Sequence, residues 1–171
     1  FCLSRGLGDV YKRQLVASSA GDTLIELIKM QEELGTNVPM VMVGQAYGYP
    51  KQGVNIMTDE RRAELTAAGV HIIHAAHALS GAERGISRKF SGAYPVEIMA
   101  HTLRMFGQGT KVCVEIAMMA LDNGAIEFNK PVVCVGGSAR GADTACIITP
   151  AYTADCLDTK IHEILCKPGL Y

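Results

Sequence analysis

One short turn carries the residues best suited to bind an anion. The small polar turn at 18–23 follows the apolar run 15–17 and begins a segment with helical apolar spacing. The first N–H groups of a helix lack internal partners and lie at the positive end of its dipole, so a phosphate is stabilised there. Hydroxyl groups and a residue without Cβ let a phosphate approach. We predict a phosphate site built from the following residues: Ser18, Ser19, Gly21, Asp22 and Thr23.

Two further loops carry side chains that would complete such a site. The loop at 44–53 is rich in Gly and Tyr and follows a buried apolar run, where open α/β sheets bind ligands. An ordinary surface loop has the same composition. The loop at 78–92 holds three cations, which suit an anionic ligand, an ion-pair network with Glu83, or a solvated basic loop. From these loops, their flanks and the loop at 136–144 we select these candidate contacts: Tyr47, Gly48, His77, Ser80, Arg84, Ser87, Arg88 and Arg140.

Three histidines have a spacing that resembles a metal-binding pattern. The apolar pattern predicts a strand at 70–74, so His71 and His74 point to opposite faces of the sheet. His77 lies beyond the strand. We therefore predict no metal site, and we keep His77 as a candidate acid–base group in the loop after the strand.

A single carboxylate interrupts the most apolar segment of the chain. Residues 111–122 are apolar nearly all round and predict a buried helix, yet Glu115 lies in its middle. A buried carboxylate needs a partner, or its pKa rises. Glu115 is therefore either a candidate catalytic or ligand-binding group, or half of a buried ion pair with Arg84 or Arg88.

Composition excludes several classes of partner. The chain has 171 residues, 49% of them hydrophobic, and a net charge of −1, which favours neither nucleic acid nor an anionic membrane surface. No apolar run approaches the roughly 18 residues of a membrane span. The six cysteines show no Cys-x-x-Cys spacing and most lie in apolar runs. They indicate buried thiols in a reducing, cytoplasmic environment.

The first fourteen residues differ from the rest of the chain. Residues 1–14 show neither an apolar period nor the apolar segment of a signal peptide. Residues 4–14, SRGLGDVYKRQ, match the translation of a transposon-type sequencing-library adapter, although a natural basic arm is the alternative. We expect residues 1–14 to be adapter-derived, non-native and disordered. Residues 15–171 are then one domain that lacks its native N-terminus.

The order of the predicted elements indicates the fold class. Strand patterns alternate with helical patterns as far as residue 135, which predicts a three-layer α/β/α domain with a mostly parallel sheet. The glycine-rich loop at 136–144 lacks the spacing of phosphate loops and nucleophile elbows. A strand pattern at 145–148 follows it, so the loop is predicted to connect a hairpin. Residues 159–166 mix helical and strand patterns, and residues 163–166 are a candidate edge strand.

Five segments together carry a resemblance to a known family. They are VASSAGDT at 16–23, HALSGAERGISRK at 77–89, GTKVCVEIAMMALDNGAI at 109–126, VGGSARGADTA at 135–145 and EILCKP at 163–168. In these segments the chain resembles the stand-alone archaeal and bacterial proteins related to the C-terminal α/β domain of pyruvate kinase. The resemblance implies a five-stranded mixed sheet of order 3-2-1-4-5, with strand 5 antiparallel.

The resemblance also implies a ligand. In full pyruvate kinases, the turn similar to 18–23 holds a phosphate of the sugar-bisphosphate activator. In the stand-alone relatives it suggests flavin mononucleotide (FMN) or a similar sugar phosphate. The catalytic barrel of pyruvate kinase needs about 250 residues, so no phosphotransfer from phosphoenolpyruvate is expected. Two alternatives stay open: a flavin-dependent or other enzyme that uses His77 or Glu115, and a regulatory or homo-oligomerisation module.

Overall fold

A mixed sheet organises the chain in a computed structural model, which describes residues 13–49, 51–138 and 140–169. Within these residues the sheet has six strands in the order β3-β2-β1-β4-β5-β6. The pairs β3–β2, β2–β1 and β1–β4 are parallel, whereas β5 is antiparallel to β4 and β6 is antiparallel to β5. The strands are β1 Gln14–Ala17, β2 Met40–Gln45, β3 His71–Ala75, β4 Val132–Gly136, β5 Thr144–Thr149 and β6 Lys160–Cys166.

Helices cover both faces of this sheet. Strand residues alternate between two cores: Leu15 packs with α4 and α5 on one face, and Val16 packs with α1 and α2 on the other. Fully burying one such side chain contributes about 1.5–3 kcal/mol, so each core is a main source of stability. The helices are α1 Asp22–Glu33, α2 Asp59–Ala67, α3 Gly81–Phe90, α4 Pro95–Arg104, α5 Gln108–Asp122 and a 3-10 helix at Thr153–Asp158.

The predicted α/β class, the layers and the hairpin after β4 are confirmed, but the number of strands is wrong. The sheet has β6 as a sixth strand beside β5. The candidate edge strand at 163–166 is confirmed, but β6 begins earlier, at Lys160, because the exposed residues 160–163 lack the apolar alternation that predicts a strand. The order of the first five strands is the predicted one.

The polar stretch at 78–92 is a helix rather than a loop over most of its length. Helix α3 buries none of its residues, which explains why its apolar pattern is weak. Glu83 lies in its first turn and accepts hydrogen bonds from the N–H groups of Val96 and Glu97, at 3.3 and 2.9 Å. Glu83 therefore stabilises the first turn of α4.

Most of the first fourteen residues lie outside the described part of the chain. Residues 1–12 are not among the described residues, and the expected disorder there stays a prediction. Gln14 begins β1 and is buried, although we assigned it to the adapter-derived stretch. No helix among the described residues is long and apolar enough to cross a membrane.

Three cysteines lie together in the core between α5 and the sheet. Cys113, Cys134 and Cys146 are free thiols with no exposed surface, as the apolar runs predicted. Cys134 and Cys146 are directly opposite each other on β4 and β5. Burial raises the pKa of the Cys134 thiol, so it stays protonated and unreactive.

Candidate functional site

A cavity of about 740 Å³ opens where the carboxyl ends of β1, β2, β3 and β4 meet. This is the edge of a parallel sheet at which open α/β folds bind ligands. Its walls are the β1–α1 turn, the loops after β2 and β3, the cavity-facing sides of α3, α4 and α5, and the β4–β5 loop. The volume lies within the range of about 300–1,000 Å³ that is typical of small-molecule sites.

The β1–α1 turn presents backbone N–H groups that have no acceptor in the described part of the chain. Gly21 is the N-cap of α1, and its carbonyl accepts the N–H groups of Leu24 and Ile25. Ser18 Oγ accepts the Gly21 N–H at 3.0 Å. Among the described residues, no group accepts the N–H of Asp22 or Thr23, and both residues line the cavity. Two donors at the positive end of the α1 dipole are thus available to an anion.

Gly21 has a different role from the predicted one. Its φ of 95° favours glycine, and an added Cβ would lie 2.8 Å from Leu65 Cδ1 and 3.0 Å from Arg61 Cγ. Gly21 is buried and is not among the cavity-lining residues. Its missing Cβ therefore lets α2 pack against the turn, rather than letting a phosphate approach.

We expect Gly21→Val to destabilise the whole fold instead of weakening ligand binding alone. The valine would combine a strained backbone with a clash in a buried position, which costs several kcal/mol of stability. Thermal unfolding monitored by circular dichroism would show a greatly lowered melting temperature. Gly35→Val is the matched control, because Gly35 also has positive φ but has no atom within 4 Å of an added Cβ. Equal loss in both variants would show that packing against α2 is unimportant.

The cavity is lined by an excess of positive charge. Arg84 and Arg88 lie one turn apart on α3, and the hairpin loop contributes Arg140. The other two cations are Arg104 of α4 and Lys111 of α5. Only two carboxylates are among the described lining residues, although the whole chain has a net charge of −1. This distribution favours an anionic ligand.

One of the two carboxylates, Asp22, lies at the rim. Its side chain is 83% exposed, and Oδ1 is 3.6 Å from the Arg61 guanidinium of α2. An exposed pair at this distance contributes little to stability. The Arg61 charge nevertheless offsets the carboxylate beside the two free N–H groups, so Asp22 is compatible with an anion on the turn.

The other carboxylate, Glu115, is buried at the centre of a polar cluster. Lys111, one turn earlier on α5, donates to Glu115 Oε2, and His77 Nδ1 lies 3.0 Å from the same oxygen. Glu115 Oε1 accepts the backbone N–H of Leu79 at 3.1 Å. Glu115 is thus in a buried ion pair, but with Lys111 instead of Arg84 or Arg88.

The electrostatics of this cluster keep Glu115 ionised. Burial alone would raise its pKa, but the hydrogen bond to His77 and the charge of Lys111 outweigh burial and lower the pKa from 4.5 to about 2. Burial also lowers the pKa of Lys111, while the negative charge of Glu115 opposes that effect. The pair is therefore a mutually dependent unit.

A close helix–strand approach positions this cluster. Gly109 lies in the first turn of α5, and an added Cβ would be only 2.0 Å from Thr144 Oγ1 on β5. The absent side chain lets α5 lie directly on the sheet. Lys111 and Glu115, one turn apart on α5, line the cavity.

Most of the predicted site residues come together in this cavity, and four do not. The turn, loop and helix residues that line it are Ser18, Ser19, Asp22, Thr23, His77, Ser80, Arg84, Arg88, Glu115 and Arg140. Gly21, Tyr47, Gly48 and Ser87 are not among the lining residues.

Each of the remaining three outlying residues has a local structural contact. Tyr47 accepts a hydrogen bond from Arg62 at 2.9 Å and packs edge-on against the His74 ring. Gly48, at φ 92°, donates its N–H to Val54 within its own loop. Ser87 Oγ lies 2.7 Å from a carboxylate oxygen of Glu97, on α4. From the Tyr/Gly-rich loop, Tyr49 lines the cavity instead.

Three polar cavity residues on α4 and α5 are not among the residues predicted from the sequence. Arg104, Gln108 and Lys111 line the cavity beside Glu115, and Arg104 Nε donates to Gln108 Oε1 at 2.7 Å. Arg104 ends α4, whereas Gln108 and Lys111 lie at the start of α5, so no single helical period connects these three residues. The signal in the sequence was the spacing of Lys111 and Glu115, one turn apart on α5.

The donors in the cavity suit an anion better than a metal ion. No group of three His, Cys, Asp or Glu side chains in the described part of the chain is arranged to hold a metal ion. His74 is engaged elsewhere, since Nδ1 lies 2.9 Å from the Gln45 carbonyl and Nε2 lies 3.1 Å from Arg62. No protein-family model matches this chain.

Proposed function

We propose that the cavity binds a small phosphorylated molecule, with its phosphate on the β1–α1 turn. The observation that carries this proposal is that the N–H groups of Asp22 and Thr23 have no acceptor among residues 13–49, 51–138 and 140–169, and that both residues line a cavity with five cationic side chains from those ranges. Backbone donors at a helix N-terminus and nearby guanidinium groups are the two recurrent means of binding phosphate.

FMN and sugar phosphates are the two ligand classes that we propose. Both combine a phosphate with a polar chain whose hydroxyl groups can pair with Ser18, Ser19 and Ser80. Tyr49 and Met119, on the same walls, supply apolar surface for a ring. The resemblance of the turn and of the 135–145 loop to the C-terminal domain of pyruvate kinase supports the same ligand classes.

Ligand-induced stabilisation tests this proposal with matched ligand pairs. We expect FMN or ribose 5-phosphate to raise the melting temperature, and riboflavin and ribose, which lack the phosphate, to leave it unchanged. At a ligand concentration of 100 times Kd, the stabilisation is about 2.7 kcal/mol. For a domain of this size, that corresponds to a shift of roughly 5–10 °C.

The measurement is differential scanning fluorimetry for the sugars and circular dichroism for the coloured flavins. Equal shifts from FMN and riboflavin would show that phosphate is not the anchor. The proposal fails if neither phosphorylated compound changes the melting temperature.

A further inference from the structure

The two ring nitrogens of His77 lie in different surroundings. Nδ1 is 3.0 Å from Glu115 Oε2, whereas Nε2 has no hydrogen-bond partner among the described residues. The His77 side chain is 43% exposed and lines the cavity. The ring therefore has one nitrogen held by the protein and one available to a ligand.

The surroundings of Glu115 determine which nitrogen carries the proton. Glu115 is a carboxylate because Lys111 and the Leu79 N–H both donate to it. A carboxylate accepts hydrogen bonds and cannot donate them. His77 Nδ1 must therefore carry a hydrogen, and the neutral ring has its lone pair on Nε2.

The sheet sets the distance between this nitrogen and the phosphate site. The turn at 18–23 follows β1, and His77 follows β3, two strands away in the sheet. Neighbouring strands are about 4.8 Å apart, so the two strands that carry these sites are separated by about 10 Å. This separation matches the length of a sugar phosphate, from its phosphorus to the far end of the carbon chain.

We propose that His77 accepts a proton from a bound sugar phosphate and returns it, at the end of the sugar that is distant from the phosphate group. Glu115 and Lys111 are positioning residues in this proposal. This inference rests on the proposed function. In the forward step, a ligand hydroxyl gives its proton to Nε2, and the O–H electron pair stays on the ligand oxygen. The imidazolium keeps its Nδ1–H on Glu115, and the reverse step restores both groups.

A sugar phosphate fits this role better than FMN, the other ligand class proposed above. Its hydroxyl groups extend along the whole carbon chain, so one of them reaches a base about 10 Å from the phosphate site. Arg84 lines the same cavity as His77, and its guanidinium group would stabilise the alkoxide that forms. The positive charge of Lys111 keeps Glu115 ionised, so Glu115 does not take the proton from His77 Nδ1.

Imidazole 15N NMR of the full chain tests the arrangement without any variant. In alkaline buffer we expect His77 to show a protonated Nδ1 and an unprotonated Nε2. Ribose 5-phosphate should shift the His77 Nε2 resonance together with the amide resonances of Asp22 and Thr23. A shift of the two amides without a shift of Nε2 would overturn the inference and leave the proposed function intact. No shift at any of these three resonances would contradict both the inference and the proposed function.

Reaction with diethyl pyrocarbonate, followed by peptide mass mapping, gives a second readout. This reagent acylates an unprotonated imidazole nitrogen, so His77 should be modified and ribose 5-phosphate should protect it. His101, exposed on α4, is the internal control and should be modified equally with and without the sugar phosphate.

Glu115→Gln tests the positioning role. A glutamine keeps the size of the side chain but can donate or accept, so we expect a mixture of His77 tautomers and a severalfold slower acylation of His77. An unchanged single tautomer in Glu115→Gln would overturn the role of Glu115. A wild-type ring protonated at Nε2 would overturn the inference as a whole.

Discussion

Thr23→Glu lowers the affinity for the phosphorylated ligand by at least about a hundredfold and leaves the fold stable. A carboxylate about 4 Å from a phosphate costs roughly 4 kcal/mol at an effective dielectric constant near 20. Partial solvent screening at the cavity mouth reduces that cost, which leaves the expected hundredfold loss of affinity. An acidic residue in the first turn of a helix interacts favourably with the helix dipole, so α1 itself is stabilised.

The matched control for this variant is Thr23→Gln. Glutamine has the size of glutamate without its charge, so it separates repulsion of the phosphate from the loss of the threonine hydroxyl. Isothermal titration calorimetry with FMN and with ribose 5-phosphate measures the affinity, and urea denaturation measures the stability. If Thr23→Glu binds these compounds as well as Thr23→Gln does, the phosphate does not lie on the turn.

Lys111→Met lowers the free energy of unfolding by about 3–5 kcal/mol, the typical cost of removing one partner of a buried ion pair. Methionine fills the space of the lysine stem, but the buried Glu115 carboxylate loses its buried cationic partner. We expect the double variant Lys111→Met/Glu115→Gln to recover much of this loss. The glutamine carbonyl still accepts the Leu79 N–H, and no buried charge remains.

The Lys111–Glu115 pair makes the free energy of unfolding depend on pH. The pKa of Glu115 is lowered from 4.5 to about 2 in the folded state, so its contribution is fully present above pH 4.5 and is lost as the pH falls towards 2. In Lys111→Met the Glu115 pKa is less depressed, so this loss becomes smaller. Urea denaturation of both proteins between pH 2 and pH 6 measures the difference. Parallel curves for the two proteins would contradict a coupled pair.

The sequence allowed the layers of the fold to be predicted because its buried strands are apolar on both faces. The run at 38–43 and the run at 131–135 indicated parallel central strands without any information on distant contacts. Helix α3 and the first half of strand β6 could not be predicted from an apolar pattern. Both have mostly exposed residues, and their structure depends on pairing with β5 and on contacts with α4.

The site was predictable where it depends on local chemistry and unpredictable where it depends on packing. The turn at 18–23 shows its strand, small residues and helix in consecutive positions. For Lys111 the sequence shows only that a lysine lies one turn before Glu115. The burial of this lysine depends on how closely α5 approaches β5. Gly21 could be identified as a turn residue, but its contact with α2 involves residues forty positions further along the chain.

The concentration of cations at one edge of the sheet also affects how quickly a ligand arrives. A chain with a net charge of −1 repels anions weakly over most of its surface, while the five cationic side chains of the cavity attract them to a single opening. Low-dielectric walls focus such a field and accelerate diffusional encounter by 10-fold or more, by order of magnitude. Because the Debye length is about 8 Å at physiological ionic strength, added salt slows this capture while leaving the short contacts inside the cavity nearly unchanged.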